Sequence, residues 1–435
     1  MRYFIQPSII FLLLVTRGFS MSTWEHEARL MTHLFGNNTF TSLTRPNPNG
    51  GGALNVTIGL AYVQLMDLDE HRQMLKSNIW IRQYWTNEAL AWNPTDYGNI
   101  SVINIDPVHA WLPDIVLYNN ARAISAISGG VLYQFKKKLV LHFDGSIQWF
   151  APTIIQTSCH IDPSLYPFDR QNCSVILGSW THNGFELDVF AQKDSIDTEF
   201  YQESSEFHLV TSQSRKLVQN FSCCAEPYPL LVFDLVFQRH STYYFINIII
   251  PTALITCLSC LSFVLPSGER VTVGLNVFFT ITFINLYNMQ KVPQTSTTSL
   301  MNRFLHACTV LTAFCMCSNA CVLNMLSLKN VQVPFFIKYL IFEVIAPSVG
   351  LHTNEMFSST KRREDSSWRI KTDFQVAPKT IYTRIEKELR KDFWRCCAQT
   401  LDRCCFIVFV VLFLSLSLNF VTVDLRDSSR GKLST

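Results

Sequence analysis

Two cysteines enclose thirteen residues in the segment "CHIDPSLYPFDRQNC", residues 159–173. An aromatic-Pro-Phe-Asp run, residues 166–169, lies inside it. The long polar region around this segment holds only two more cysteines, Cys223 and Cys224, and four cysteines allow three pairings. The other ten of the fourteen cysteines lie in or beside apolar segments or beyond them, where thiols stay reduced and pack as small hydrophobes.

The region that contains this segment follows a predicted signal peptide, residues 1–20, with a basic start, a short apolar run and small residues near its end. A signal anchor is the alternative, although the apolar run is well short of the ~20 residues that a bilayer requires. Residues 21–242 then contain no long apolar stretch. Five Asn-x-Ser/Thr acceptors for glycosylation occur there, at Asn37, Asn55, Asn99, Asn172 and Asn220. We therefore expect this region to be lumenal or extracellular.

Four apolar stretches follow, consistent with a composition of 48% hydrophobic and only 16% charged residues. The predicted membrane spans are residues 243–265, 271–289, 304–326 and 404–423. After a cleaved signal peptide, an even number of spans puts both ends outside, including the tail at 424–435. Residues 327–403 are then a cytoplasmic loop with an amphipathic helix before the last span. The basic residues of this helix suit a cytosolic flank; they are Lys387, Arg390, Lys391, Arg395 and Arg403.

The extracellular region is predicted to be all-β. Segments such as "NVTIGLAYVQLMDLD" and "LVFDLVF" are rich in β-branched and aromatic residues and are separated by Gly, Pro, Asn and Asp. This pattern favours an antiparallel, immunoglobulin-like sandwich ahead of a four-span helical bundle. A net charge of +3 is too small to indicate a nucleic-acid partner. No metal-ligand spacing, phosphate loop or nucleophile motif supports an enzyme, a cofactor or a metal site.

The segment at 159–173, placed in a β-rich region ahead of four spans, resembles the signature of the Cys-loop ligand-gated ion channels. Adjacent cysteines before the first span resemble the alpha-type subunits of nicotinic acetylcholine receptors within that family. The resemblance implies a glycosylated, multi-pass subunit of a homo- or hetero-pentamer in the plasma membrane, in contact with membrane lipid and possessing a postsynaptic role. It also implies two disulfides, Cys159–Cys173 and Cys223–Cys224.

A bond between neighbouring cysteines closes the smallest possible loop, so it removes almost no entropy from the unfolded chain. Its role would be local, stiffening a hairpin tip so that the tip caps a ligand with less ordering cost. Two free thiols at Cys223 and Cys224 are the alternative.

The resemblance implies that aromatic rings on several loops hold a small cationic neurotransmitter such as acetylcholine, because ring faces attract quaternary ammonium groups. The implied principal face comprises Tyr118, Trp180, Phe221, Cys223, Cys224 and Tyr228; the implied complementary face comprises Trp85, Gln148 and Phe150. Any one of these rings could instead belong to the sandwich core. Phe221 and His182 stand where the family usually has Tyr, which implies a low acetylcholine affinity or another small amine.

Steps of three and four residues along "GERVTVGLNVFFTITFINLYNMQKVP" place seven side chains on one helix face. They are Glu269, Thr272, Asn276, Phe279, Phe283, Leu286 and Gln290. The resemblance implies that this face lines a pore, with a ring of Glu269 carboxylates that attracts cations and a constriction at Phe279 and Phe283. Alternatively, Thr272 and Asn276 hydrogen-bond neighbouring helices while the phenylalanines pack.

Glu70 and Arg239 resemble a charged pair that links the inner sheet to the first span, although both could simply be solvated. The leading hypothesis is thus a subunit of a cation channel opened by acetylcholine or a related cation. A non-conducting or modulatory receptor-like protein, acting in a vesicle or endocytic membrane, is the alternative, because Phe279 replaces the usual Leu and Lys291 adds charge near the outer mouth.

Overall fold

The computed structural model describes residues 22–36, 42–46, 51–121, 137–266, 268–290, 298–328 and 379–432, together with Val331, Phe336 and Ile345. The predicted signal peptide, Asn37 and most of the predicted cytoplasmic loop lie outside the described residues. The chain divides into two compact units. The first comprises Met1–Asp162 and Arg170–Arg239, and the second comprises Pro163–Asp169 and His240–Thr435.

In the described part of the first unit, a helix, α1 (Thr23–Phe35), is followed by ten strands. The strands are β1 (Leu54–Asp69), β2 (Met74–Thr86), β3 (Val102–Ile105), β4 (Ile115–Leu117), β5 (Leu139–His142), β6 (Ser146–Ser158), β7 (Arg170–Ser179), β8 (Leu187–Ala191), β9 (Phe207–Gln219) and β10 (Tyr228–Arg239). They form a six-stranded sheet in the order β3-β5-β6-β2-β1-β8 and a four-stranded sheet in the order β4-β7-β10-β9. Every named pair is antiparallel except β1 with β8.

The inner faces of the two sheets share one hydrophobic core. Along β2, buried residues alternate with partly exposed ones from Leu75 to Trp85, as expected where one face of a strand is covered. From the smaller sheet, Phe233, Leu235 and Phe237 of β10 enter the same core. Cys159 and Cys173 are joined by a disulfide, as predicted. The β-sandwich ectodomain ahead of helical spans is thereby confirmed.

The second unit is helical. Where the structure describes this unit, the helices are α2 (Thr242–Phe263), α3 (Arg270–Met289), α4 (Leu300–Ser327) and α5 (Lys379–Lys432). Among the described residues, four segments are long and apolar enough to cross a membrane: Thr242–Phe263, Arg270–Met289, Leu300–Ser327 and Arg390–Phe420. The predicted cytoplasmic helix and the last span are therefore one continuous helix. A π-type turn at Phe245–Ile249 precedes Pro251 in α2, where a proline cannot donate the usual backbone hydrogen bond.

Polar side chains join the helices to one another. Asn285 of α3 donates to the Thr309 hydroxyl of α4 over 2.7 Å, and Asn319 of α4 donates to the Ser262 hydroxyl of α2 over 2.9 Å. The segment Pro163–Asp169 also packs in this unit. Carbonyls of Ser164 and Tyr166 accept from the first backbone N–H groups of α4, which have no partner within the helix.

Candidate functional site

Two aromatic rings meet where neighbouring strands of the smaller sheet end. Trp180 follows the last residue of β7, and Tyr118 follows β4, which pairs with β7. Their ring centroids lie 5.5 Å apart. Tyr118 is half-buried, whereas Trp180 is 56% exposed, which is unusual for so large an apolar side chain. An indole ring that is backed on one side and open on the other presents a face to a cation.

Asp114, which precedes β4, fixes the position of the loop that carries Trp180 through hydrogen bonds to its carboxylate. Its carboxylate accepts from the Trp180 backbone N–H over 3.2 Å, and from the N–H and hydroxyl of Thr181 over 2.7 and 2.6 Å. The Ser179 hydroxyl also donates to it. The carboxylate therefore fixes the loop that carries Trp180 and adds negative potential beside the ring. Sequence reasoning missed Asp114, because an isolated acid in a loop carries no pattern.

The Tyr118 ring is oriented by its hydroxyl, which donates to the Ser179 carbonyl over 2.6 Å. Burial, followed by the nearby Asp114 and Tyr228, raises the pKa of Tyr118 to about 12. The phenol therefore stays neutral at physiological pH. Gly178 makes this packing possible, since a Cβ there would lie 2.6 Å from a Leu230 methyl carbon and 3.3 Å from the Tyr118 ring.

The hairpin between β9 and β10 brings two more rings to the same end of the sheet. Phe221 and Tyr228 meet edge to face with centroids 5.5 Å apart. The loop after Trp180 is tied to this hairpin, because the Gly184 N–H donates to the Pro227 carbonyl over 2.7 Å. The predicted rings Tyr118, Trp180, Phe221 and Tyr228, hereafter the aromatic cage, are thus brought together.

Cys223 and Cys224 lie at the tip of that hairpin. The structure contains them as thiols, Cys223 exposed and Cys224 partly exposed, so the predicted bond between them is not formed in it. The Cys224 N–H donates to the Phe221 carbonyl over 3.2 Å, which makes a tight turn beside the aromatic cage. A hydrogen bond with the Cys223 thiol, together with desolvation, raises the pKa of Cys224.

The predicted complementary face is only partly assembled. Gln148 and Phe150 point away from the core on the outer face of β6. Trp85 points the other way: it is 3% exposed and packs in the sandwich core. The assignment of Trp85 to a ligand-binding surface is therefore wrong, because a side chain on the inner face of β2 cannot reach the outer face.

The tryptophan of β2 that does share the outer face is Trp80. The register pairs it with Pro152, two residues along β6 from Phe150. Its ring lies 5.1 Å from that of Phe200, and Tyr84 contacts Phe150 with centroids 5.6 Å apart. We call Trp80, Tyr84, Gln148 and Phe150 the outer-sheet surface. The missed signal was the alternation of side chains along a strand. Positions 80 and 85 are an odd number of residues apart, so they face opposite sides of the sheet.

Arg82 lies among these side chains, and its positive charge is paired with a carboxylate. Its guanidinium forms an ion pair with Asp197 over 2.8 Å. The outer-sheet surface is thus aromatic and amide-bearing, and the charge of the neighbouring Arg82 is neutralised, which suits contact with a cationic ligand.

At the end of β10, the predicted pairing of Glu70 with Arg239 is present. The Arg239 side chain is only 1% exposed and bonds Glu70 over 2.5 Å and Glu206 over 2.9 Å. It also lies over the Phe207 ring, 4.5 Å from the centroid. Burial raises the pKa of Glu70, although Arg239 acts against that shift. Arg239 and Glu70 therefore form a largely buried ion pair and not a solvated surface pair, whereas Glu206 binds Arg239 from a half-exposed position.

The seven predicted pore residues lie on the exposed side of α3 or at the positions next to its two ends. Glu269, Thr272, Asn276, Phe279, Phe283, Leu286 and Gln290 are all exposed. The opposite side carries Gly274, Val277, Ile281, Asn285 and Asn288, all buried against neighbouring helices. Among the described residues, Asn285 and Asn288 hydrogen-bond to side chains of α4, and Thr272 and Asn276 lie on the exposed side.

The four predicted acceptors for glycosylation that the structure describes all lie at the surface. They are Asn55, Asn99, Asn172 and Asn220.

Comparison with known proteins agrees with this geometry. The ligand binding domain of neurotransmitter-gated ion channels matches residues 27–241, and the transmembrane region of the same channels matches residues 248–380. The chain belongs to the neurotransmitter-gated ion-channel family, whose members are receptors and not enzymes. The predicted Cys-loop resemblance and the multi-pass location in the plasma membrane are confirmed.

Among its curated relatives are neuronal acetylcholine receptor subunits. The chain is 38% identical to the alpha-2 subunit of Homo sapiens over 274 residues, which are 62% of this chain and 50% of that subunit. It is 34% identical to the alpha-10 subunit of Homo sapiens over 299 residues, 68% of this chain and 65% of that subunit. The match to the alpha-2 subunit thus spans about half of that subunit's length.

Proposed function

We propose that this chain is a subunit of a pentameric, cation-selective channel opened by acetylcholine or a related small cationic neurotransmitter. The observation that carries the proposal is the exposed Trp180 ring, backed by Tyr118 at 5.5 Å and held by Asp114. The ligand's ammonium group would lie against this ring, with Phe221 and Tyr228 closing over it. The outer-sheet surface of a neighbouring subunit would complete the site.

Energetic considerations support a cationic ligand. Each ring face contributes ~0.5–2 kcal/mol to binding a cation, with the larger values where water is excluded. Several rings, together with the negative potential of Asp114, therefore favour a cationic ligand over a neutral ligand of similar size. Because one chain carries both the aromatic cage and an outer-sheet surface, identical copies could form the site, as could related subunits.

The ion pathway is supported by the pattern of cover on α3. One face of this helix is exposed along its length. It carries the Glu269 carboxylate at its start, then Thr272 and Asn276, and then Phe279 and Phe283. Glu269 would attract cations at the inner mouth, and the phenylalanines would form a hydrophobic gate. The Glu70, Arg239 and Glu206 cluster would set registry during opening, because a largely buried ion pair such as that of Glu70 with Arg239 favours discrete arrangements.

The proposal also includes a bond between Cys223 and Cys224 in the oxidising extracellular environment. Mass spectrometry of the non-reduced protein should find these two cysteines joined in one peptide. Replacing both with serine should weaken ligand binding without loss of surface protein, whereas Cys159→Ser should prevent folding. Normal binding by the double-serine variant would contradict this role.

The direct test is expression in oocytes, alone and with related alpha subunits, followed by application of acetylcholine, choline and biogenic amines. We expect an inward current whose reversal potential follows sodium and ignores chloride. Binding should be measured in parallel by displacement of a labelled quaternary ammonium compound. A chloride current would contradict cation selectivity, and failure of every cationic amine to bind would contradict the ligand class.

A second candidate, a ligand-binding subunit that passes little current, is favoured by the two exposed phenylalanines on the pore face, Phe279 and Phe283. Phe279→Leu and Phe279→Ser should increase current if the rings merely obstruct a working pore. Phe278→Leu, on a half-buried neighbour, is the control. Bound ligand without current from any variant or subunit mixture would favour the second candidate.

A further inference from the structure

Arg270 and Glu269 are adjacent in sequence but lie in different surroundings. Glu269 occupies the position just before α3 and is exposed, on the face proposed to line the pore. The Arg270 side chain is only 13% exposed. Two opposite charges at one end of a pore would largely cancel if both reached the pathway. The contacts that keep Arg270 out of the ion pathway therefore determine the electrostatic field at that end of the pore.

The Arg270 guanidinium is held on three sides. Its Nε donates to the Leu265 carbonyl over 2.7 Å, and one Nη donates to the Phe263 carbonyl over 2.9 Å. These carbonyls come at the end of α2, where a helix leaves backbone acceptors without partners and carries partial negative charge. The guanidinium thus caps α2 and is directed back toward it.

The third partner comes from a distant part of the chain. Asp402 of α5, 132 residues away, accepts from the other Nη over 2.7 Å. Its side chain is 14% exposed, so the ion pair is largely withdrawn from water on both sides. Two neutral carbonyls cannot balance a buried guanidinium, whereas a carboxylate can. Without Asp402, a long and flexible arginine would gain by turning toward water, and the uncovered side of α3 is beside it.

We infer that Asp402 is a positioning residue for charge selectivity: by holding Arg270 against the end of α2, it leaves Glu269 as the charge that permeating ions meet at the inner mouth. The inference rests on the proposed channel function and deepens it. It assigns part of the selectivity of the pore to a residue on α5, a helix that supplies none of the proposed pore residues.

The test compares Asp402→Asn with the double variant Asp402→Asn/Arg270→Gln, using ligand-evoked currents in sodium chloride gradients. Asp402→Asn releases the guanidinium and should lower the sodium-to-chloride permeability ratio roughly three- to tenfold, because each Glu269 then has a nearby cation. The double variant removes the released charge and should restore the wild-type ratio. Arg403→Gln, a change of the exposed charge next along α5, should leave the ratio unchanged.

Restoration by the double variant separates charge positioning from a merely structural role, since both variants lose the ion pair and only one contains a loose cation. If Asp402→Asn alone does not reach the surface, it should be coexpressed with the wild-type chain, and mixed assemblies should show a smaller shift in the same direction. Asp402→Glu, which keeps the charge, should resemble wild type.

The outcomes are distinguishable. An unchanged permeability ratio in a conducting Asp402→Asn variant overturns the inference and leaves the proposed function standing. A ratio that the double variant fails to restore also overturns it. If the wild-type chain conducts chloride, or conducts nothing with any partner while binding ligand, the proposed function fails and the inference fails with it.

Discussion

The aromatic cage and the outer-sheet surface are built from the same kinds of side chain but in different ways. The aromatic cage stands on loops at strand ends, where Trp180 and Tyr118 extend from β7 and β4 and Asp114 holds the turn. The outer-sheet surface stands within β2 and β6, where each side chain faces one side or the other. A loop residue can be recognised by its neighbours in sequence, whereas a strand residue also requires the correct parity.

Trp85 and Trp80 illustrate the consequence. Both are tryptophans of β2 and lie five residues apart, yet Trp85 is in the core and Trp80 shares the outer face with Phe150. A shift of an odd number of positions moves a side chain to the opposite face of a sheet. The comparison therefore predicts that equal substitutions at the two positions have unequal effects: one on folding and one on ligand binding.

The largest expected effect is that of Trp85→Ala. Removing a large ring from a packed core leaves a cavity and costs about 3–5 kcal/mol of folding free energy. We expect little surface protein and a strongly lowered melting temperature of the detergent-solubilised receptor. Trp80→Ala is the matched control and should fold normally while raising the ligand concentration for half-maximal response about fivefold. Normal folding of Trp85→Ala with lost ligand binding would restore the original assignment of Trp85.

Next in size is Trp180→Ala, which removes the open ring of the aromatic cage. Loss of a desolvated cation contact and its buried area should cost about 2–3 kcal/mol of binding, or roughly 30- to 150-fold in ligand affinity. Equilibrium binding at unchanged surface expression measures this directly. Phe185→Ala, at an exposed ring in the same loop, is the control and should change affinity little. Equal losses at both positions would mean that the whole loop, and not the Trp180 ring, supports binding.

Asp114→Asn should have an intermediate effect. The variant keeps the shape but removes the charge that accepts from the backbone of Trp180 and Thr181, and hydrogen bonds to charged groups contribute about 1.5–3 kcal/mol. Some of this free energy is lost from the order of the loop and not from ligand binding. We therefore expect roughly tenfold weaker binding of a cationic ligand. Asp106→Asn, which changes a cap on a short helix elsewhere, is the control. An unchanged affinity would show that Trp180 is held by packing alone.

The contrast between loop and strand also explains how far sequence reasoning reached. The cysteine segment, the alternating strands and the four spans follow from local patterns, whereas the rings Tyr118, Trp180 and Tyr228 were implied by the resemblance to the channel family. The pairing of Glu70 with Arg239 was inferred from resemblance and is present. Three features needed coordinates: the parity of Trp80, the backbone contacts of Asp114, and the ion pair of Arg270 with Asp402. Each depends on strand register or on contacts between residues distant in sequence, which leave no local periodicity.

Phe221→Tyr should produce the smallest effect and the only gain. Phe221 meets Tyr228 edge to face and is 37% exposed, so a hydroxyl added to its ring can reach the ligand side without displacing core atoms. A new hydrogen bond contributes about 0.5–1 kcal/mol, which corresponds to roughly two- to fivefold higher ligand affinity. Phe143→Tyr, at an exposed ring remote from the hairpin, is the control. Because the expected change is an increase, damage to the fold cannot imitate it, and an unchanged affinity would mean that Phe221 supports Tyr228 without touching the ligand.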